Sequence, residues 1–181
     1  MSSIFNINYD YQNKYLLTAN FRADGASNFG KGNKWGYFPS LSAGWRISQE
    51  EFLSGISDLS DLKLRAGWGQ VGNSGISAYA SYGTMSAAPY LIDGIVQGGK
   101  IPSTIDNQDL KWETSEQSNI GLDIAFFNFR LGFTIDAYYK LTKDLLYDYP
   151  LPRSTGYGSS VINIGSVRNQ GVEFSVSSKN L

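Results

Sequence analysis

The segment Asn119-Ile-Gly-Leu-Asp-Ile-Ala-Phe-Phe-Asn-Phe-Arg-Leu-Gly-Phe-Thr-Ile-Asp-Ala-Tyr-Tyr-Lys-Leu141 decides the fold class. Before Phe127-Asn128, Ile120, Leu122, Ile124 and Phe126 alternate with Asn119, Gly121, Asp123 and Ala125. After it, Leu131, Phe133, Ile135, Ala137, Tyr139 and Leu141 alternate with Arg130, Gly132, Thr134, Asp136, Tyr138 and Lys140. A period of two is the pattern of a strand with one apolar and one polar face. Two such runs meeting at a short polar break predict a hairpin. As a helix, the segment would put Asp136 and Lys140 on one face and scatter its apolar residues all round. The run from Arg130 to Leu141 contains no turn residue. Soluble strands usually run about 5–6 residues, whereas a tilted strand crossing a bilayer needs roughly 9–11.

The same alternation recurs along the chain. Phe5, Ile7, Tyr9 and Tyr11 precede a turn at Gln12-Asn13-Lys14, and Tyr15, Leu17, Ala19, Phe21 and Ala23 follow it. After a Gly/Asn/Ser-rich loop from Asp24 to Lys34, Trp35, Tyr37, Pro39, Leu41, Ala43, Trp45 and Ile47 share a face. Ser48 and Glu51 have the spacing of a capping box, which predicts one helical turn. Leu62, Leu64, Ala66 and Trp68 form the next run, and Val172, Phe174 and Val176 the last. Two stretches lack sustained alternation: Gly72 to about Asn107, and the Pro/Gly/Ser-rich residues Pro150 to Ser160. The sum is about seven strands joined alternately by short turns and long loops. Ser177 to Leu181 reads as a turn in mid-sheet, and Met1 enters a strand pattern at once, so residues 1–181 are expected to be one partial domain of a longer chain.

Composition narrows the chemistry. The 181 residues include 20 glycines, 14% aromatics and only 17% charged residues, with a net charge of -1. That balance gives no basic footprint for nucleic acid. Cysteine and histidine are both absent, which removes thiol catalysis, disulfides, Ser-His-Asp triads and the usual zinc sites. No nucleophile, phosphate or metal constellation stands out, and neither an enzyme nor a cofactor is expected. Gly67, Gly69 and Gly72 match a dinucleotide fingerprint by spacing, but no helix follows them.

What covers the apolar face separates two readings. A soluble, secreted β-sandwich that binds carbohydrate would bury it on a second sheet. An outer-membrane barrel would turn it to lipid and the polar face to a watery lumen. The polar face cannot be the lipid face. It carries Arg22, Arg46, Lys63, Arg65, Asp123, Arg130, Asp136, Lys140 and Glu173. A midplane Arg or Lys costs roughly 2–4 kcal/mol in lipid, and a few would exceed a stability of about 5–15 kcal/mol. Trp35, Tyr37, Trp45, Trp68, Trp112 and Tyr139 fall near strand ends, where girdle aromatics belong. Seven strands fall short of the roughly eight of the smallest closed barrels. The expected fold is therefore all-β, an antiparallel transmembrane barrel segment.

Particular motifs add a family resemblance. Arg22-Ala-Asp-Gly-Ala-Ser-Asn-Phe29, Tyr37-Phe-Pro-Ser-Leu-Ser-Ala-Gly-Trp-Arg-Ile47 and Leu62-Lys-Leu-Arg-Ala-Gly-Trp-Gly-Gln-Val-Gly-Asn73 resemble the SusC/RagA family of TonB-linked outer-membrane proteins of Bacteroidetes. Leu110-Lys-Trp-Glu113, Asn119-Ile-Gly-Leu-Asp123 and Asn163-Ile-Gly-Ser-Val-Arg-Asn-Gln-Gly-Val-Glu-Phe174 are similar to the same family, in family order. The resemblance implies a transporter barrel of the roughly 22-stranded, plugged class. It implies import of large nutrients, glycans or oligopeptides, across the cell outer membrane. It implies a SusD-like lipoprotein lid, and energy from TonB–ExbB–ExbD acting through a plug region that is missing here. The last barrel strands and a signal peptide are missing from the pattern too.

Two sets of residues become site candidates. Arg22, Asp24, Arg46, Arg65, Asp123, Arg130, Asp136 and Glu173 are expected to face the lumen, either as charge ladders that hold a plug or as plain solvated wall. Tyr79, Tyr82, Tyr90 and Tyr157 sit in loops, where they could stack on sugar rings, touch a lid protein or simply pack the loops.

Overall fold

A computed structural model describes residues 1–179. Thirteen strands follow in chain order: β1 Ser2–Tyr11, β2 Tyr15–Gly25, β3 Trp35–Arg46, β4 Leu59–Asn73, β5 Thr84–Ala87, β6 Tyr90–Ile92, β7 Ile95–Gln97, β8 Lys100–Thr104, β9 Glu113–Phe126, β10 Leu131–Lys143, β11 Leu146–Pro150, β12 Ser159–Asn163 and β13 Ser166–Ser178. Seven of them form one antiparallel sheet in the order β1-β2-β3-β4-β9-β10-β13. These are the alternating runs, now 10 to 15 residues long. Every step across the sheet is to the next long strand along the chain, the arrangement of a meander.

The two ends of the sheet differ. At one end the connections are short. Gln12 and Asn13 take left-handed φ values of 54° and 55° between β1 and β2. Phe127, Asn128 and Phe129 do the same between β9 and β10, at 53°, 55° and 62°. Side chains other than glycine rarely adopt this conformation. Here the Phe127 and Phe129 amides donate to the Asp58 carbonyl (2.9 Å) and Ser60 Oγ (3.2 Å), which ties the turn to the start of β4. Between β3 and β4 lie two 3-10 turns, Ile47–Gln49 and Glu51–Leu53. The expected capping box does not form. Ser48 Oγ donates to Asp61 Oδ1 at 2.7 Å instead, because its backbone sits inside the first turn and not before it.

At the other end the long connections fold together. The stretch expected to be loop from Gly72 to Asn107 contains the end of β4 and four short strands. β5 and β8 join β11 and β12 in a second sheet, ordered β11-β12-β8-β5, and β6 and β7 make a separate hairpin. Asp93 and Gly94 turn that hairpin with φ values of 49° and 78°, the backbone that Asp-Gly favours. The last long strand is also wider than its pattern: Ser177 and Ser178 pair with Gly132 and Leu131 rather than forming a turn, while Asn180 and Leu181 lie outside the described residues.

Among the described residues, the buried apolar side chains are few: Phe29, Phe38 and Leu110. They sit where the long connections meet the polar face. Phe38 lies on that face of β3, Trp112 packs edge-on against it at 5.4 Å, and Phe29 lies 5.0 Å from Trp112. Trp112 is thus no girdle residue; it holds the loop layer to the wall. The Phe38 ring occupies the space over Gly72 on β4, and a methyl group there would overlap it. Gly72→Ala should cost about 1–3 kcal/mol through overpacking. Phe38→Ala should remove most of that penalty in the double variant, because the two positions share one space. Thermal unfolding of the four proteins in detergent, followed by electrophoretic mobility with and without heating, measures the coupling; additive losses would refute the shared packing.

Candidate functional site

The apolar face is continuous across the sheet. Tyr11, Tyr15, Trp45, Leu64, Leu122, Ile135 and Phe174 stand in one row through the pairing register. Tyr9, Leu17, Ala43, Ala66, Ile120, Ala137 and Val172 form the next. Among the described residues nothing covers this face: Phe5, Tyr9, Leu17, Ile120 and Phe174 are all exposed, and Val172 is 73% exposed. A sandwich would have laid a second sheet here. The second sheet that does exist is built from the long connections and leaves these residues bare, which overturns the soluble-sandwich alternative.

Aromatics bound the face. Tyr11 stacks on Tyr15 and Tyr15 on Trp45, each pair with centroids 6.4 Å apart. Glu50, in the short connection beyond β3, gathers the polar tips of Tyr15 and Trp45. It accepts from Tyr15 Oη at 2.7 Å, Trp45 Nε1 at 3.1 Å and Lys14 Nζ at 3.2 Å. The Tyr15 hydroxyl, then the Trp45 indole and Lys14, hold its carboxyl below the usual carboxylate range. Trp35, Tyr37, Trp68 and Tyr139 also stand exposed on the apolar face. Trp68 Nε1 donates to Glu116 Oε1 at 2.8 Å.

On the polar face, three strands meet in one ion network. Arg65 on β4 donates from Nε to Asp123 Oδ2 at 2.6 Å, and from one terminal nitrogen to Asp123 Oδ1 and to both Asp136 oxygens, at 3.1, 3.1 and 3.2 Å. Asp123 lies on β9 and Asp136 on β10. The guanidinium reaches β10 because Gly121 separates them in register, and a Cβ at Gly121 would collide with Asp136. Thr134 Oγ1 also donates to Asp123 at 3.2 Å. All three charged groups are half-buried.

The other candidates scatter around this centre. Glu173 on β13 is exposed and directly opposite Asp136. Arg46 lies at the short-turn end, 3.6 Å from Asp61. Arg22 pairs with Asp24 at 2.6 Å near the long-loop end, and Asp24 Oδ1 is buried without a partner. Arg130 falls outside β10, in the exposed turn before it, because the four-residue break consumes it. It is no rung of a lumen ladder; its carbonyl accepts from the Lys179 amide at 2.8 Å. Among the loop tyrosines, Tyr79 and Tyr82 make an edge-on pair at 6.4 Å. Tyr90 stands apart in the β6–β7 hairpin, and Tyr157 is half-buried before β12. The residues missed by pattern are Phe38 and Trp112, aromatics on or against the polar face. A lone apolar residue at an odd position of a strand, Phe38 between Gly36 and Ser40, was the available signal.

Two consequences follow from this geometry. Arg65→Met leaves two carboxylates facing each other across Gly121, and should destabilise the folded protein by about 1–3 kcal/mol, between an exposed and a buried pair. Arg65→Lys should not restore it, because an ammonium lacks the fork that meets both partners. Denaturant titration in detergent reads both. For Glu50, the folded state favours the ionised form. Its contribution is therefore full near neutral pH and is lost as the pH falls through the depressed folded-state pKa. Glu50→Gln should flatten the acid limb of unfolding temperature against pH below about pH 5, the ordinary Glu range; an unchanged acid limb would refute the role.

With this geometry in place, comparison with known proteins is direct. The family of TonB dependent receptor-like β-barrels matches residues 5–179. TonB-dependent receptor P39 of Formosa agariphila is 40% identical over 180 residues, which cover 99% of this chain and 17% of that protein. TonB-dependent receptor SusC of Bacteroides thetaiotaomicron is 40% identical over 179 residues, covering 96% and 18% respectively. A structure of the RagAB peptide importer in the closed-closed state superposes with a TM-score of 0.87 at 34% identity, over 97% of this chain and 19% of that one. The chain thus spans less than a fifth of the length of these relatives. A siderophore receptor, PirA of Pseudomonas aeruginosa, shares the fold at a TM-score of 0.61 and 17% identity. The bare apolar face, the charged polar face and the matched length place the chain in the TonB-dependent receptor β-barrel family, as a seven-strand wall segment of the SusC/RagA type.

Proposed function

We propose that this segment forms part of the barrel wall of an outer-membrane importer of large nutrients, glycans or oligopeptides. The observation that carries the reading is the apolar face: two unbroken rows cross seven strands with none of the described residues over them. Such a face needs lipid, and its strands have the length to cross it. The polar face then lines a lumen, where charges such as Arg65, Asp123, Asp136 and Glu173 stay hydrated. Transport is the whole task; no step of bond making or breaking is assigned to these residues.

The ends of the sheet give the wall a direction. In barrels of this class the short turns face the periplasm and the long loops face outward. The layer built by β5, β8, β11 and β12 would form the outer rim, with Tyr79, Tyr82, Tyr90 and Tyr157 in or beside it. A SusD-like lipoprotein would close over that rim. Energy would come from TonB–ExbB–ExbD, acting on a plug inside the full barrel. The RagAB relative, described as a peptide importer with closed-closed and open-open states, supports a gated mouth.

The test uses the full-length protein in its own cells. It should sediment with the outer membrane, and uptake of at least one oligosaccharide or peptide too large for porins should vanish when either this gene or TonB is deleted. Recovery as a soluble protein would overturn the membrane assignment. Uptake that survives TonB deletion would replace the importer with a passive porin.

A further inference from the structure

The apolar face of the wall changes chemistry toward the long-loop end. Over β10 and β13 its middle rows pair Ile135 with Phe174 and Ala137 with Val172. The next row pairs Tyr139 with Gln170, then Leu141 with Arg168, then Lys143 with Ser166. Alternation keeps all of these side chains on one side of the sheet. Lys143, Ser166, Arg168 and Gln170 are exposed. On the opposite side at the same level, Thr142 is buried and shares a 2.7 Å hydrogen bond with Ser115. At this level the sheet is therefore closed toward the lumen and open toward the membrane. A plug inside the barrel leaves this surface free, and further barrel strands would extend it without covering it.

Strand geometry sets the level of these residues. From Leu131 to Leu141, β10 climbs about 25 Å along the membrane normal at a tilt of roughly 35–45°, the height of the apolar band of a membrane barrel. Arg168 stands level with Leu141, and Lys143 one row beyond it. Both cations thus lie just outside the hydrocarbon, past the exposed girdle ring of Tyr139. Diagonal neighbours on adjacent strands are about 7–8 Å apart, so the two long side chains can reach one point between them. Neither makes a hydrogen bond or ion pair among the described residues. The nearby carboxylates are engaged elsewhere. Asp144 pairs with Lys111 at 3.0 Å. Glu116, opposite Leu141 on β9, accepts from Trp68 Nε1 and lies two strands from Arg168, about 10 Å away. The patch keeps a net positive charge.

We propose that Arg168 and Lys143 bind the phosphate of a lipid in the outer leaflet, whose acyl chains lie along β10 and β13 over Ala137 and Val172. The inference rests on the outer-membrane reading and goes beyond it. Three features argue for that ligand class. The guanidinium of Arg168 is a planar fork that meets two phosphate oxygens, and Lys143 adds a second, mobile charge. Ser166 and Gln170 flank Arg168 on the same face of β13 and supply neutral donors to the same anion. The apolar column directly below suits an amphiphile and offers nothing to a soluble anion. There Ala137 is the small residue among Val172, Ile120, Ile135 and Tyr139, a shallow dip along which a chain can lie.

The experiment uses the full-length protein purified in detergent, with bound lipid read by native mass spectrometry. It is titrated with a diglucosamine glycolipid carrying one phosphate, with the same glycolipid after phosphatase treatment, and with inorganic phosphate. The wild type should hold the phosphorylated lipid roughly tenfold or more tighter than the dephosphorylated one, the effect of two basic side chains at an anionic lipid. Arg168→Gln/Lys143→Gln should abolish that preference. Arg168→Lys/Lys143→Arg, which keeps both charges, should retain most of it. Arg130→Gln, a cation lost at the short-turn end, should leave it unchanged. A heat-modifiable band checks that each variant is folded; if the glutamine pair fails, Arg168→Gln alone decides. Equal affinity of the wild type for the two lipids overturns the site, and so does a full preference in the folded glutamine pair, which would mean that Arg168 serves a neighbouring barrel strand or only solvent. Displacement of the lipid by an equal concentration of inorganic phosphate would make this a soluble-anion site and overturn the proposal too. None of these outcomes bears on sedimentation with the outer membrane, whose loss would sink the wall reading itself.

Discussion

Register is the constraint on which this structure depends. Each of the seven long strands satisfies its backbone laterally, and its side chains alternate between two faces with opposite demands. A slip of one residue anywhere would exchange those faces. Arg65, Asp123 and Asp136 would move to the apolar side, and Leu64, Leu122 and Ile135 to the polar one. Hydrogen bonding and side-chain chemistry therefore specify the same pairing. The Arg65 network adds a third vote, since its guanidinium meets both carboxylates only when β4, β9 and β10 hold their observed offset.

The two faces are stabilised by different physics. The apolar one has no core of its own; its energy is realised only against lipid. The polar one is organised by specific pairs, and where it does bury apolar surface it does so against the folded long connections. Phe38 and Trp112 are that exception. They break the binary pattern of the wall, and through Phe29 they pack the connection between β2 and β3 onto it. The short-turn end needs no such layer. Glu50 collects three donors there and ties the first girdle aromatics to the connection between β3 and β4.

Much of this was legible because the barrel wall is a local code. The seven runs, their facing, the short breaks at residues 12–14 and 127–130, and the lipid side all follow from period two plus the cost of charge in hydrocarbon. The β6–β7 hairpin, turned at Asp93-Gly94, was missed, because it lies in a stretch without alternation. The motifs of the SusC/RagA family pointed to the same wall. Arg130 shows the limit at element ends: parity put it on the polar face, but the turn took four residues and removed it from the strand.

By itself, then, the amino-acid sequence determined the fold class, the seven long strands of the main sheet and which side chains share its apolar face, because each rests on nearest-neighbour alternation; the six short strands of the long connections it did not. Only the tertiary structure decided which charges meet, that Trp112 packs inward, and that β12 finds β8 across more than fifty residues of chain. It alone set Lys143 and Arg168 diagonally side by side on the membrane side of the wall. Those facts depend on offsets between strands far apart in sequence, and on side-chain reach across them. No periodicity encodes such distances; the paired backbone sets them.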